Sequence, residues 1–330
     1  VIISSYRESE CLRNLPEIVL TKKEKGFLFE IDSRIKALLL ELPKQYHDIL
    51  QVVNGNRFRP LLTYYGYTLY SNELNETIYH SATAIELIHK ASIIIDDIID
   101  QDEKRHGLPT VHQQYSINEA LIITVFLLGK CIELLSNIDD STIRLFSQMI
   151  SKMCQGTLSE LNIDDNVTLS EVKYILDNQT SQVIQNSLII GMKSYDDSIY
   201  NQYLETIGYK LGYLFQLLND CEAYFNPKFA MKYKGNANLD INKQRKNLCF
   251  SYLEQFLNYK EKIELNNGNY SILNHLLKKY QILDYVRQEI HCIELDIQSH
   301  LNHLGEELNT DRLTLFIRYA INLAKARANF

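Results

Sequence analysis

Glycine and proline are scarce in this chain, 12 and 5 among 330 residues. Few tight turns are therefore available, which argues for long helices and an all-α fold. The six cysteines are scattered, and none falls in a C-x-x-C spacing, so neither a zinc knuckle nor a disulfide framework is indicated. Reduced thiols in the cytoplasm are the expectation. The longest apolar run, Ala120 to Gly129, is about half of what crosses a bilayer, and no charged segment followed by an apolar one marks a signal peptide. The chain starts at Val1, which leaves open whether a leader precedes it. A net charge of −7 gives no general affinity for nucleic acid or an acidic membrane. Any anionic ligand has to be held locally. No repeat and no long linker divides the chain, so residues 1–330 are expected to form one domain, with 1–22 as an arm or short helix.

What the chain does have is a run from Glu86 that is apolar until it ends in Asp96, Asp97 and Asp100. On a helix turning about 100° per residue the three acids fall within an arc of roughly 100°. Ala84, Ile88, Ala91, Ile95 and Ile98 recur at helical spacing, so one side of this helix is expected to be buried. Carboxylates gathered on such a wall repel and raise one another's pKa unless a cation sits among them. Oxygen ligands alone favour magnesium over zinc. Read as residues only, the same cluster also fits a solvated helix end.

Before it, Phe27, Ile31, Ile35, Leu38 and Leu42 mark an amphipathic helix over 23–42 that stops before Pro43, and a second helix is expected from about Tyr46. Asn54 to Pro60 is a donor-rich turn, with Pro60 in the first turn of the next helix. A polar loop follows the acids to His112, and an apolar helix runs from Asn118 to Leu135. Thr168 and Glu171 have capping-box spacing. The helix through Ile207 to Leu218 delivers Asn219, Asp220 and Glu222 at its end. Residues 226–247 carry six basic residues, Arg245 among them, against the single acid Asp240. That stretch fits a solvated loop or a cationic flap over a phosphate-bearing ligand. Amphipathic helices broken at 266–269 and near Gly305 complete the chain.

Two acid-bearing helix ends more than a hundred residues apart, with cations between them, suit a magnesium clamp on a diphosphate. From about Asn54 to Leu248 the chain resembles the trans-isoprenyl diphosphate synthases of the polyprenyl synthetase family. The family's G-G-K-R-x-R-P turn reads Asn54-Gly55-Asn56-Arg57-Phe58-Arg59-Pro60. Its I-E-L-I-H-x-A-S-x-x-x-D-D-x-x-D runs from Ile85 to Asp100, and its R-R-G-x-P-T-x-H is Arg105 to His112. The second aspartate motif is Gly212 to Ala223, with Phe215, Gln216, Asn219 and Asp220 in place.

The resemblance implies a helical bundle of the class I isoprenoid synthase type around a central cavity, and a homodimer. It implies two or three Mg2+ ions held by Asp96, Asp97, Asp100, Asn219 and Asp220. These would draw electrons from an allylic prenyl diphosphate until its C–O bond ionises, with Arg105 beside them. Arg57, Arg59, His89, Gln179, Thr180, Gln216 and Arg245 would bind the substrates. The acceptor would be isopentenyl diphosphate or another alkene. Ala91 and Ser92, small and one turn deeper than Asp96, leave the pocket open at that level, with Phe126 as a candidate floor and Phe215 in its wall.

The departures bear on function. Asn56, His106 and Gln179 stand where the family has a lysine, an arginine and a lysine, each a phosphate contact, and a charge-assisted hydrogen bond contributes about 1.5–3 kcal/mol. Asn219 and Ala223 replace two aspartates of the second motif, and Glu222 is one residue short of its place. A weakened acceptor site fits an unusual acceptor; prenyltransferases that modify the tryptophan of a quorum-sensing peptide share some likeness with residues 238–253. Two alternatives stay open: a class I terpene cyclase, which needs no isopentenyl diphosphate, and a non-catalytic subunit of a prenyl synthase.

Overall fold

The computed structural model describes residues 19–49, 57–105, 107–136, 138–163, 167–226, 247–267 and 270–330. The turn residues Asn54 to Asn56, His106, the N-terminal arm apart from its last four residues, and most of the basic 226–247 segment with Arg245 lie outside these. The architecture is all-α, as composition predicts. Helix α1 spans Lys22–Leu39, α2 Phe58–Thr68 and α3 Glu76–Asp100. The short α4 (Val111–Gln114) is followed by α5 (Ile117–Leu135), α6 (Asp140–Leu161), α7 (Leu169–Asn178), α8 (Thr180–Tyr195) and α9 (Gln202–Phe225). Then come α10 (Leu248–Glu254), α11 (Tyr259–Asn266), α12 (Leu273–Lys279), α13 (Ile282–Gly305) and α14 (Asp311–Arg327).

One expectation lies partly outside the described residues: a 3-10 turn, Lys44–Tyr46, precedes Ile49, which is helical, and residues 50–56 of the helix expected from about Tyr46 are not among those described. Another changes. The loop after the acids folds back as a two-stranded antiparallel pair, Lys104–Arg105 with Leu108–Pro109. Its reversal uses Gly107 at φ 81°, a conformation glycine adopts without a Cβ clash. Helix starts follow their local chemistry: Thr168 and Glu171 form the expected capping box on α7, and Asn75 accepts from the Ile78 N–H at the start of α3.

Helix α8 is the axis of the bundle and packs on α2, α3, α6 and α9. Glycines make the contact close. A Cβ on Gly66 of α2 would strike the Leu188 carbonyl of α8, and one on Gly191 of α8 would strike the Thr63 carbonyl of α2. On the other side a Cβ on Gly212 of α9 would lie 2.5 Å from Ser181 Cα. Backbones this near cannot part without opening the core. Gly212→Val is therefore expected to destabilise the protein by about 1–3 kcal/mol, the range for overpacking, and to displace the Thr180–Gln216 contact beside it. Urea unfolding monitored by circular dichroism checks this.

The N- and C-terminal helices are tied together by a buried carboxylate. Glu24 of α1 accepts from Arg312 of α14 at 2.6 and 3.0 Å and from Tyr65 Oη of α2 at 2.9 Å. Burial opposes its charge, yet Arg312, Thr21 and Tyr65 together hold its pKa below the usual carboxylate range. The tie lays α14 beside α2, where Phe316 stacks on Phe58 with ring centroids 5.2 Å apart.

Candidate active site

The three acids do not share one face equally. Asp97 continues the buried stripe of α3 through Lys90, Ala91 and Ile94, whereas Asp96 is exposed and Asp100 half-buried, with Ile95 and Ile98 half-buried too. Asp97 Oδ1 accepts from Arg105 Nε at 2.8 Å and Nη2 at 2.5 Å, while its Oδ2 is buried with no partner among the described residues. Arg105 therefore holds Asp97 in place. Burial still outweighs that arginine and raises the Asp97 pKa.

Asp96 opens to solvent on one side but is recessed among neighbouring groups on the others. That desolvation, then repulsion from Asp100, pushes its pKa up to about 7, with Glu160 of α6 adding a further negative field. A carboxylate whose folded pKa is raised stabilises the fold below its unfolded value and loses that contribution as pH rises through its folded value. Metal-free protein should thus weaken between about pH 4 and pH 7 at this position. Asp96→Asn is expected to raise the melting temperature at pH 8 and leave it unchanged at pH 4, as differential scanning calorimetry in chelator would show.

Arg59, in the first turn of α2, donates through Nη1 to His89 Nε2 of α3 at 2.7 Å. The arginine cannot accept, so Nε2 is the acceptor and the ring proton sits on Nδ1. Burial, followed by the charge of Arg59, holds the His89 pKa well below its usual value. Burial likewise lowers Arg59 to about 10, against the fields of Glu86 and Asp96. It stays a cation at neutral pH, and its buried Nε has no partner among the described residues.

Arg57 departs from expectation. Its guanidinium is taken by Asp32 at 2.6 Å and Glu86 at 3.0 Å, in a network with the fully buried Lys90, 2.9 Å from Glu86. It caps α2 in a left-handed conformation at φ 50°, two residues before Arg59. Gln179 also departs: it donates to Glu160 at 2.7 Å across the α7–α8 junction. Ala91 is buried in the core and Ser92 Oγ bonds the His89 carbonyl. Phe126 packs from α5 with Lys130 over its ring.

None of Ala91, Ser92 and Phe126 lines the cavity of about 180 Å³ beside Arg59. That cavity lies between α2, α8, α9 and α14, with Phe58, Phe215, Ile184 and Phe316 in its apolar wall and Arg59, Thr180, Asn219 and Arg327 as its polar groups. Phe215 thus takes the place expected of it. The second acidic end reaches the cavity through a relay: Thr180 Oγ1 donates to Gln216 Oε1 at 2.7 Å, and Gln216 Nε2 donates to Asp220 Oδ1 at 2.7 Å. Asp220 Oδ2 accepts the Leu248 N–H at 2.8 Å. Arg59 therefore sits in the field of Asp96 and lines a cavity that Asn219 also lines.

Sequence reasoning missed Glu160 and the whole contribution of α14. A lone glutamate in an amphipathic helix and an arginine 105 residues from Glu222 carry no local signal.

Three comparisons relate the chain to known proteins. The profile of the polyprenyl synthetase family matches residues 41–271. A short chain isoprenyl diphosphate synthase of Methanocaldococcus jannaschii is 28% identical over 206 residues, 60% of this chain and 63% of that protein. The match spans about three-fifths of such curated relatives. Among solved structures, a polyprenyl synthase from Caulobacter crescentus CB15 complexed with calcium and isoprenyl diphosphate superimposes with a TM-score of 0.78 over 96% of this chain and 99% of that one, at 17% identity. A geranylgeranyl pyrophosphate synthetase from Pyrococcus horikoshii Ot3 gives 0.75 over 94% and 100%, at 23% identity. They share the fold.

Proposed function

The chain belongs to the polyprenyl synthetase family, and from that premise we propose that it is a magnesium-dependent prenyltransferase, one domain over residues 1–330, joining an allylic prenyl diphosphate to isopentenyl diphosphate or another alkene. The observation that carries this reading is Arg59, a buried cation between an acidic helix end and an aromatic-lined cavity.

The residues fit a divalent cation shared with a substrate. Asp96 and Asp100 repel across one helical turn, Asp97 keeps a buried oxygen without a partner, and Asp96 carries a pKa of about 7 in metal-free protein. Among the described residues no three His, Cys, Asp or Glu side chains converge on a point. Magnesium commonly takes one or two carboxylates and completes its shell with phosphate oxygens and water, so this spread suits ions that arrive with a diphosphate. When bound, they would supply the electrophilic pull that makes diphosphate a leaving group.

The chain's own side chains do the rest. Asp96 and Asp100 would hold the divalent cation through which the allylic diphosphate is oriented, and Arg105 keeps Asp97 aligned. The allylic C–O bond breaks with its electrons on the diphosphate; the acceptor alkene attacks the resulting carbocation, and the proton lost from the acceptor passes to the departing diphosphate. Phe58, Phe215 and Phe316 exclude water from the cation. Arg59, with neutral His89 fixing its plane, holds the acceptor's diphosphate.

No described helix is long and apolar enough to cross a membrane, and the reading places the enzyme in the cytoplasm. The outer face of α5 exposes Ile117, Leu121, Ile122, Val125 and Ile132, an apolar stripe that supports a homodimer paired through this helix.

Incubation with magnesium and geranyl, farnesyl or geranylgeranyl diphosphate, with and without isopentenyl diphosphate, tests the reading. Longer prenyl diphosphates support it. Hydrocarbon or alcohol formed without isopentenyl diphosphate would instead establish the cyclase. Product only after a second chain is added would mark a subunit.

A further inference from the structure

Lysine is almost never fully buried unless it is paired, and Lys90 is paired in a way that stability does not explain. It is 0% exposed in the middle of α3, one turn after Glu86, itself 1% exposed, and its Nζ lies 2.9 Å from Glu86 Oε1. The same oxygen accepts from Arg57 Nη1 at 3.0 Å, while Arg57 Nε donates to the exposed Asp32 at 2.6 Å. Buried ion pairs lose about as much in desolvation as they gain in attraction, and apolar residues of the same volume hold a helix at least as well. The pair therefore calls for an electrostatic reason.

Burial opposes the charge of Glu86, yet Lys90, then Arg57 and Arg59, hold its pKa below the usual carboxylate range. Three cations thus act on one buried carboxylate, and the second acid of the set, Asp32, sits on Arg57 at the exposed edge. Arg59 differs from the other two cations in having no carboxylate partner among the described residues: its Nη1 donates to neutral His89, and its buried Nε is without a partner there. With Lys90 and Arg57 both on Glu86, the surplus positive charge rests on Arg59. Were Lys90 neutral, the field of Glu86 would fall more heavily on Arg59, and an anion there would be held less well.

We propose that Lys90 is a positioning residue for the acceptor's diphosphate: buried too deeply to touch it, Lys90 offsets Glu86 so that Arg59 meets the anion with its own charge intact. This rests on the prenyl-transfer reading and adds to it a residue that no ligand contact would reveal. The family motif over Ile85 to Asp100 leaves position 90 unspecified, so the lysine there is a property of this chain.

The test compares Lys90→Gln, which still donates to Glu86 but carries no charge, with the double variant Glu86→Gln/Lys90→Gln, which removes carboxylate and ammonium together. Calorimetry measures inorganic pyrophosphate and isopentenyl diphosphate without metal, and steady-state assays give KM and kcat. Lys90→Gln is expected to bind both anions about 10- to 30-fold more weakly, the effect of one unbalanced charge in a poorly screened interior. The KM for isopentenyl diphosphate should rise by the same factor, with kcat changed by no more than about threefold. The double variant should return to within about threefold of the wild type, because its charge balance is restored. Equal weakening in the two variants would show only a structural role and overturn the proposal, as would a Lys90→Gln protein that binds like the wild type. Should the single variant not fold, binding in the double variant about tenfold weaker than in the wild type would overturn it as well. Should the wild type transfer no prenyl group while Lys90→Gln still loses pyrophosphate affinity and the double variant recovers it, the prenyl reading would fall and the charge balance would stand. Should prenyl transfer proceed with an unchanged KM in Lys90→Gln, the reading would stand and the role of Lys90 would fall.

Discussion

Asp96→Ala lowers the rate of pyrophosphate release from an allylic diphosphate by about 10³-fold while leaving the fold intact, since the residue is exposed near the end of α3. The effect is large because ionisation of the C–O bond has no side-chain nucleophile to assist it; charge stabilisation at the departing diphosphate supplies the driving force. The pH profile carries a second signature. With a pKa of about 7 in metal-free protein, Asp96 is half protonated at neutral pH, so metal-dependent activity at low magnesium should climb as pH rises from 6 to 8. Saturating magnesium should shift the midpoint to lower pH, because a cation favours the ionised carboxylate. Steady-state assays of pyrophosphate at two magnesium concentrations check both statements. A rate that does not depend on position 96 would remove the acidic end of α3 from the chemistry.

Arg59→Met raises the KM for isopentenyl diphosphate by about 10²-fold, the loss of one or two charge-assisted hydrogen bonds in a buried setting. The rate at saturating acceptor should change much less, because in the proposed mechanism Arg59 binds the acceptor and does not pull on the leaving group. The variant also relieves His89 of the nearest positive charge. Its pKa, held down first by burial and then by Arg59, should move back toward the ordinary histidine range, which NMR titration of the labelled ring detects. An unchanged KM with a shifted His89 would place Arg59 in a structural role only.

Much of this architecture was legible because the relevant physics is local. The acids at the end of α3, the Thr168–Glu171 capping box and the apolar helix over Ile117–Leu135 each announce themselves within a few residues. The all-α fold followed from the scarcity of glycine and proline. Other features required the tertiary structure. Arg57 and Arg59 are two residues apart in one motif and look interchangeable, yet Asp32 and Glu86 claim the first and leave the second to the cavity. Asp97 reads as a twin of Asp96, but only Asp97 lies on the buried stripe, where Arg105 takes one of its oxygens. Gln179 turns to Glu160, whose presence beside Asp96 depends on how α6 packs. The chamber beside Arg59 is bounded on one side by α14, a helix whose amphipathic pattern alone marks it as packing material.

The central claim is that the acidic ends of α3 and α9 act on one diphosphate through shared divalent cations. Calorimetric titration of an allylic thiolodiphosphate, which resembles the substrate but resists ionisation, tests it most directly when run with and without magnesium on the wild type, Asp96→Ala and Asp220→Asn. The account predicts tight binding only with magnesium in the wild type and at least tenfold weaker binding in each variant. Magnesium-independent binding, or full affinity retained when either acid is removed, would contradict it.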